Sequence, residues 1–536
     1  MTKPTNMKSI AATCTLALIL CTGPTVWAQK KTDKATVKWG PEMTVKENGM
    51  FDRIVASREN SSFMIMSRKK ERFLQRVDGT KVMWQKPLNV EMNKKPMLME
   101  NLALVGNDIL VFASIYDKKA NENQLYYSRY GTDQFKPLKV NEKMAVIPAP
   151  KSINTGSFEV RVSPGGNRVL VHQYLPVEKG ELRKTLMEMY DGDMNLLWSQ
   201  AMELPYNGNE FFVESQRVDD DGSVMLLGIK HAGGTEKREL KKAGLATYEY
   251  HLLVYDGQSP MPEDHLISVS DKFLKDMTVS LGKDGDVLCA GLYGNKGGDR
   301  AIGGAFYLRL DRKSKKVVHE SYRAFPSDFI TSYMTEKQAA KAEKKAERKN
   351  EEMEMANYLL RDLVRRDDGG AVLLAEQYYS YVTYTTTSTG NGGTATTSTY
   401  HYVHNDIIVV NISPAGDIEW AVLVPKRQHS INTFIYNSFA SAVKDDRIYL
   451  LFNDTGDNLF VKPGDKVKQF ELTGKDALAV LVTVDAAGEV SREALFSPER
   501  RDVILRPADC EQLMDQSMFI YGSRKSDYRF GKIDFR

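Results

Sequence analysis

An all-β fold, a single β-propeller of eight four-stranded blades, is predicted by three features of this 536-residue sequence. A short unit of apolar strand, tight polar turn and apolar strand recurs from end to end. A second hairpin follows each of the first, so two hairpins make a four-stranded repeat. Turn signals return every 10–15 residues or so, and the apolar residues never switch to long helical periodicity.

At the N-terminus, Lys3 and Lys8 precede the apolar run Ile10 to Cys21, and Val26-Trp27-Ala28 has the small-residue pattern of a signal-peptidase site. Residues 1–28 therefore read as a signal peptide and residues 29–536 as the propeller, exported to the periplasm or the extracellular space. Cys21 follows Leu18-Ile19-Leu20, and Leu20 stands where a lipoprotein signal needs a small residue, which argues against a lipid anchor. The run is shorter than the roughly 20 residues of a transmembrane helix, and no later stretch approaches that length. Without residues 1–28 the chain holds 71 basic and 70 acidic residues, a balance that offers no bulk attraction to nucleic acid. Cys289 and Cys510 are then its only cysteines, each in apolar surroundings, which excludes a disulfide framework.

The first hairpins read "ALVGNDILVFAS", "VRVSPGGNRVLVHQY", "SQRVDDDGSVMLLGI", "SLGKDGDVLCAGL", "LVRRDDGGAVLLAEQYY", "SAVKDDRIYLLFND" and "LMDQSMFIYGS". The second hairpins include "LQRVDGTKVMWQKPL", "MYDGDMNLLWSQAMEL" and "VNISPAGDIEWAVLV". Asp-Gly and Gly-Gly supply the positive φ angles of such turns. The strands, A to D in each blade, fall near 51–90, 97–140, 158–204, 211–269, 276–325, 358–424 and 434–496, with an eighth unit at 503–535 that lacks strand D. "KWGPEMTV", Lys38 to Val45, resembles the D strands and is expected to close the eighth blade, leaving no exposed sheet edge. Trp39, Trp84, Trp198 and Trp420 would then share one register, at the start of a D strand. Seven blades remain the alternative if two weaker units share a sheet.

The A–B and C–D turns are short, whereas the extra length lies in the B–C loops 175–184, 231–250, 294–304, 380–404 and 453–476 and in the D–A link 326–357. In a propeller these lie on one face, which is the expected working surface. Within the link, Thr335 and Gln338 form a capping box, and the Ala/Glu/Lys composition predicts a surface helix of about six turns near 335–357. The stretch 380–404 alternates Tyr and Thr around Gly390-Asn391-Gly392-Gly393 and predicts a β-hairpin standing off that face. Its candidate binding surface is Glu376, Tyr378, Tyr379, Tyr381, Tyr384, Tyr400, His401 and Tyr402, an aromatic cluster suited to a sugar ring or a partner protein.

The repeats resemble the quinoprotein-like and WD40-like propeller superfamilies. Asp78, Gly79 and Trp84 match in type the turn-to-tryptophan segment of quinone-dependent dehydrogenases, a resemblance that implies eight blades. Those enzymes share a disulfide between adjacent cysteines, and here no two cysteines adjoin, so the resemblance extends to the fold and not to a quinone. "AEQYY" and the segment Asp406 to Gln428 also resemble a group of secreted bacterial propellers of uncharacterised function.

The chain has no G-x-S-x-G, H-E-x-x-H, phosphate loop or C-x-x-C. His401 and His404 sit three apart on a strand and should point to opposite sides, which argues against a metal site. No cofactor is expected. A glycosidase needs a close carboxylate pair, and Glu376 and Asp406 are carboxylates whose separation the sequence leaves open. The reading is of an exported, non-catalytic propeller that binds a protein or glycan through its B–C loop face, as an envelope or periplasmic scaffold. A carbohydrate-active hydrolase or lyase with its site at the channel mouth of that face is the alternative.

Overall fold

The structure, a computed structural model, describes residues 29–536 except 177–183, 207–209, 270–271, 283–284, 296–300, 312–313, 315, 350, 389–392, 473 and 498–501. The expected signal peptide and the tip Gly390-Asn391-Gly392 lie outside the described residues, as does most of the 175–184 loop. Seven four-stranded antiparallel sheets follow one another, each in the order A-B-C-D, from Met50–Pro87 to Ala440–Phe496. The last sheet joins the chain ends: Ala35–Trp39 lies antiparallel to Asp527–Phe535, which in turn pairs with Met518–Arg524. This architecture is consistent with a β-propeller.

Packing between sheets follows from strand alternation. In the sixth sheet, Val372 and Leu374 face the seventh sheet, against Leu450 and Phe452. Leu373 and Ala375 face the fifth, against Ala290 and Tyr307. Both faces of the middle strands are thus buried, which is why they read as continuous apolar runs. Every neighbouring pair of sheets shares such a cluster, and the series returns on itself, with Met64 and Met66 of the first sheet packed on Phe519 and Phe530 of the last.

Three of the four tryptophans occupy the expected register. Trp84, Trp198 and Trp420 lie early in a D strand, opposite Arg76, Met189 and Asn411. Each reaches the C–D turn of the next sheet. Trp84 stacks on Phe135, the Trp198 ring lies against Gly257, and Trp420 donates from Nε1 to the Ala486 carbonyl at 2.9 Å beside Gly488. Gly257 has φ 78°, and a Cβ there would come within 2.7 Å of the indole, so both the backbone and the close approach require glycine. His319 fills the tryptophan position of the fifth sheet, against Gly416.

Trp39 departs from that register. Its strand is Ala35–Trp39 rather than 38–45, so Trp39 ends the strand and packs edge-on against Phe496 of the preceding sheet at 5.3 Å. The alternation explains it: Ala35, Val37 and Trp39 are the buried side of this strand. Past Gly40, whose N–H still donates to the Phe530 carbonyl at 2.7 Å, Met43 and Thr44 of the expected segment pair again with Tyr528 and Asp527.

Among the described residues four short α-helices interrupt the strands: α1 (Val45–Asn48), α2 (Gly234–Ala243), α3 (Ser327–Thr331) and α4 (Glu336–Lys349). One half of the expected capping box forms, with Thr335 N–H donating to Gln338 Oε1 at 3.0 Å; the Thr335 hydroxyl donates to the same oxygen, and the Gln338 N–H goes to the Thr335 carbonyl. The helix is shorter than expected. Beyond it, Glu354 accepts from the Asn295 N–H, Met355 is buried, and Met355–Ala356 pair with Ala301–Ile302, so the chain is drawn back onto the fifth sheet. No helix among the described residues is long and apolar enough to cross a membrane.

Candidate functional site

Strands Ala371–Ser388 and Thr394–Ile412 form the expected long hairpin. The neighbouring strands reach only Gln377 on one side and His401 on the other, so the outer half projects beyond the sheet.

Strand alternation divides the candidate surface in two. Tyr379, Tyr381 and His401 share one side, where Tyr381 lies parallel to His401 at 4.4 Å. His401 Nδ1 is 3.0 Å from His429 Nε2, which extends the stack by one ring. Tyr400 and Tyr402 lie on the other side with Tyr384, which is 70% exposed, and Tyr402 packs on Phe434. Tyr378 lies over His404 with the Arg361 guanidinium 5.5 Å from its ring. His401 and His404 point apart, as alternation requires.

Glu376 does not belong to that surface: it is 0% exposed. Register shifts opposite Gln377 and opposite Asp406 bulge the two following strands at one level, at Asn405-Asp406 and at Pro425-Lys426. Bulges re-aim side chains, and here they turn Lys426, also 0% exposed, inward to Glu376 Oε1 at 2.8 Å. Glu376 Oε2 accepts from Arg361 at 2.5 Å and Ser438 at 2.9 Å and lies 3.1 Å from His404 Nδ1. Lys426 also donates to the His404 carbonyl and Gln428 Oε1. Burial works against the charge on Glu376, but Lys426, His404 and Arg361 outweigh it and hold the carboxyl below the usual carboxylate range. Arg492 of the seventh sheet grips the same bulge through the Pro425 carbonyl and pairs with Asp454 at 3.3 Å.

Above this centre lies an open cleft of about 630 Å³. The sixth sheet contributes Tyr379, Tyr381, Asn405, Asp406, Arg427 and His429. The link before that sheet contributes Tyr333, Lys337 and Gln338, and the long loop of the seventh contributes Lys466 and Gln469. The link, the D strand of the sixth sheet and the loop of the seventh are held together by backbone bonds, Gly464 N–H to Ser332 O at 2.7 Å and Phe470 N–H to Arg427 O at 2.9 Å. Other cavities lie elsewhere; the arginines lining one of about 440 Å³ include Arg309 and Arg366, already paired with Asp286 and Asp368.

Asp406 accepts from the Lys426 N–H at 3.1 Å. Burial pushes its carboxyl up to about 6, against the opposing pull of Lys426, Arg492 and Arg427. An aspartate in the unfolded chain ionises near 3.9. The folded state therefore holds this proton more tightly, and folding loses free energy as pH rises from about 4 to about 6. Asp406→Asn keeps the acceptor and removes the titration. In urea unfolding it is expected to stabilise the protein by about 2 kcal/mol at a pH of about 8 and by almost nothing at about 4. A gain of equal size at both pH values would show that Asp406 does not carry the effect.

Of the residues singled out from the sequence, Tyr379, Tyr381 and Asp406 line this cleft, whereas Tyr378, Tyr384, Tyr400, His401 and Tyr402 do not and Glu376 is buried beneath it. Lys426, Arg427 and His429 were not among those singled out. Their signal is the Lys-Arg pair that ends the apolar run "AVLVPKRQ", where a strand buried on both faces meets charge. Cys289 is buried and Cys510 half-buried, and burial pushes each thiol up to about 12, which leaves neither as a nucleophile. No group of three His, Cys, Asp or Glu side chains able to hold a metal occurs among the described residues.

No protein-family model matches the chain, and no curated protein is similar to it. Solved structures similar to it include the WD40 domain of SCAP from fission yeast, at 7% identity and TM-score 0.37 over 92% of this chain and 94% of that one. Prolyl oligopeptidase B from Galerina marginata is similar at 10% identity and TM-score 0.39, over 89% and 55%. A protein of unknown function from Bacteroides caccae is similar at 14% identity and TM-score 0.26, over 69% and 92%. These superpositions are loose, and the fold reading rests on the sheets themselves.

Proposed function

We propose that this chain is an exported, non-catalytic β-propeller of eight blades, residues 29–536, that binds a glycan in the cleft between its link helix, its long hairpin and the loop of the seventh sheet. One observation carries the reading: half-exposed Tyr379 and Tyr381, 38% and 43% exposed, line a cleft whose other walls are amide and charged side chains. Aromatic faces beside hydrogen-bonding groups match a sugar ring, apolar on its C–H face and polar at its rim. Tyr381 is preorganised by the rings stacked behind it, so binding need not order it. A scaffolding role in the envelope fits the same architecture, with Tyr384, Tyr400 and Phe434 on the far side of the hairpin offering apolar area to a protein.

The hydrolase or lyase reading has one supporting observation, the raised carboxyl of Asp406 in the cleft. It lacks a second free carboxylate: Glu376 is buried among four partners and is not among the cleft-lining residues.

The test is a saccharide-binding panel with the mature protein and Tyr381→Ala. Loss of one stacked ring should weaken binding by about 0.5–1.5 kcal/mol, or about two- to tenfold, with no turnover of the bound sugar. Unchanged binding in Tyr381→Ala would remove the cleft from the reading, and release of shortened or unsaturated products would replace it by the enzymatic one.

A further inference from the structure

The charges of the cleft carry the reading further. Three cations line it from three different elements: Lys337 at the start of α4, Arg427 in the D strand of the sixth sheet and Lys466 in the loop of the seventh. All three are exposed, and no side-chain hydrogen bond or ion pair engages any of them among the described residues. The fourth cation, Lys426, is neutralised from beneath by Glu376. Against them stands one lining carboxylate, Asp406.

Ion pairs engage some surface cations of this protein, as Lys38 with Asp534, Arg161 with Glu159 and Lys230 with Glu249, but what sets the cleft apart is the convergence of three cations from separate elements on a single lining carboxylate. The chain as a whole is nearly neutral, at +3. A local excess of unpaired positive charge inside a concave, aromatic-lined site therefore reflects what the site faces. Field focusing in a cleft raises the local concentration of anions. Arg427 brings a planar fork that matches carboxylate or sulfate oxygens two at a time. Asn405 adds a specific group: its Oδ1 is buried without a protein hydrogen bond, while its Nδ2 donates to Gln377. An unsatisfied amide oxygen in a cleft wall suits a hydroxyl donor.

We infer that the cleft takes an acidic oligosaccharide, its carboxylate or sulfate groups on Arg427, Lys466 and Lys337, one sugar ring on Tyr381 and a hydroxyl on Asn405. This rests on the glycan reading above and adds the class of glycan. Carboxylate and sulfate share the chemistry that the cations recognise, so uronate and sulfated chains are separate arms of the test.

The experiment is titration calorimetry of the mature protein with four probes: cellohexaose and xylohexaose as neutral chains, hexagalacturonate as a uronate chain and a κ-carrageenan hexasaccharide, which carries sulfate and no carboxylate, as a sulfated one. At least one acidic probe should bind tenfold or more tightly than either neutral chain. That advantage should fall about tenfold in Arg427→Gln, fall further when Lys466→Gln is added, and shrink in molar salt as exposed charges are screened. Both substitutions lie at exposed side chains, and unfolding midpoints within those of the parent protein show that folding is intact. Preference for galacturonate assigns carboxylate as the recognised group, and preference for the carrageenan fragment assigns sulfate. Neutral chains bound as tightly as acidic ones, with Tyr381→Ala still weakening them, would overturn the charge assignment and leave the glycan reading standing. Binding of none of the four would overturn both.

Discussion

Glu376→Gln is expected to cost about 3–5 kcal/mol, the penalty of leaving a buried charge without its counter-ion. Lys426 is 0% exposed, and once Glu376 is neutral its nearest partners are the His404 carbonyl and the Gln428 amide oxygen. Lys426→Met should cost less, because Glu376 keeps Arg361, His404 and Ser438. The double substitution Glu376→Gln with Lys426→Met should recover much of the loss, since neither member then strands the other, and Arg361, 32% exposed, can turn to water. Urea unfolding of the four proteins gives the coupling directly. The pH dependence has a definite sign. Glu376 titrates below its unfolded value near 4.3, so its contribution is present above that value and is lost as pH falls through the folded one. The deficit of Glu376→Gln should therefore narrow in acid. Additive costs in the double variant, or a loss under about 0.5 kcal/mol in Glu376→Gln, would mean that this pair does not hold the bulge.

Val37→Asp should be comparably severe, and for a different reason. Val37 is fully buried between the seventh and last sheets, with Leu451, Leu481 and Ile533 in the same cluster. An aspartate there has no counter-ion within the cluster, so the strand Ala35–Trp39 must leave the sheet. The strand Asp527–Phe535 would then present an open edge, which invites pairing with another chain. The expected result is a loss of about 4 kcal/mol or more together with concentration-dependent association, read by thermal unfolding and light scattering. Lys38→Ala, one residue away, is the internal control. Lys38 points outward to Asp534 in an exposed pair and should change stability by no more than about 0.5 kcal/mol. Equal effects at positions 37 and 38 would mean that this strand does not close the structure.

Much of the fold was legible because its signals are local. Turn residues such as Asp78-Gly79 and Gly369-Gly370 mark hairpins wherever they occur, and period-2 alternation marks the strands between them. The closing strand was legible for the same reason, though its limits were not. Trp39 suggested a strand that begins at the indole, whereas burial of Ala35 and Val37 starts the strand earlier. The helix of the link was legible in composition and in its cap. Its C-terminal limit was set by Met355 packing onto the fifth sheet, a contact that no propensity reports.

The site was half legible. Alternation alone separates Tyr379 and Tyr381 from Tyr400 and Tyr402, and the charge-free hairpin stands out by composition. What could not be read was which side meets the cleft, because a one-residue shift in a strand reverses the side of everything beyond it. The bulges at Asn405-Asp406 and at Pro425-Lys426 do this in the two strands that follow Glu376. Glu376 keeps the alternation of Leu374 and faces the seventh sheet as an ion-pair centre, where its place beside the tyrosines suggested an exposed binding residue.

By itself, then, the sequence determined the repeat, its turns, the joining of both chain ends in one sheet and the places where extra length is inserted. All of these depend on residues a few positions apart. The tertiary structure alone decided that Lys426 meets Glu376, and that Lys337, Arg427 and Lys466, separated by up to 129 residues, face one cleft with Tyr381. Such meetings depend on how neighbouring sheets pack and where strands bulge, and these are settled by burial summed over the whole core rather than by any local pattern.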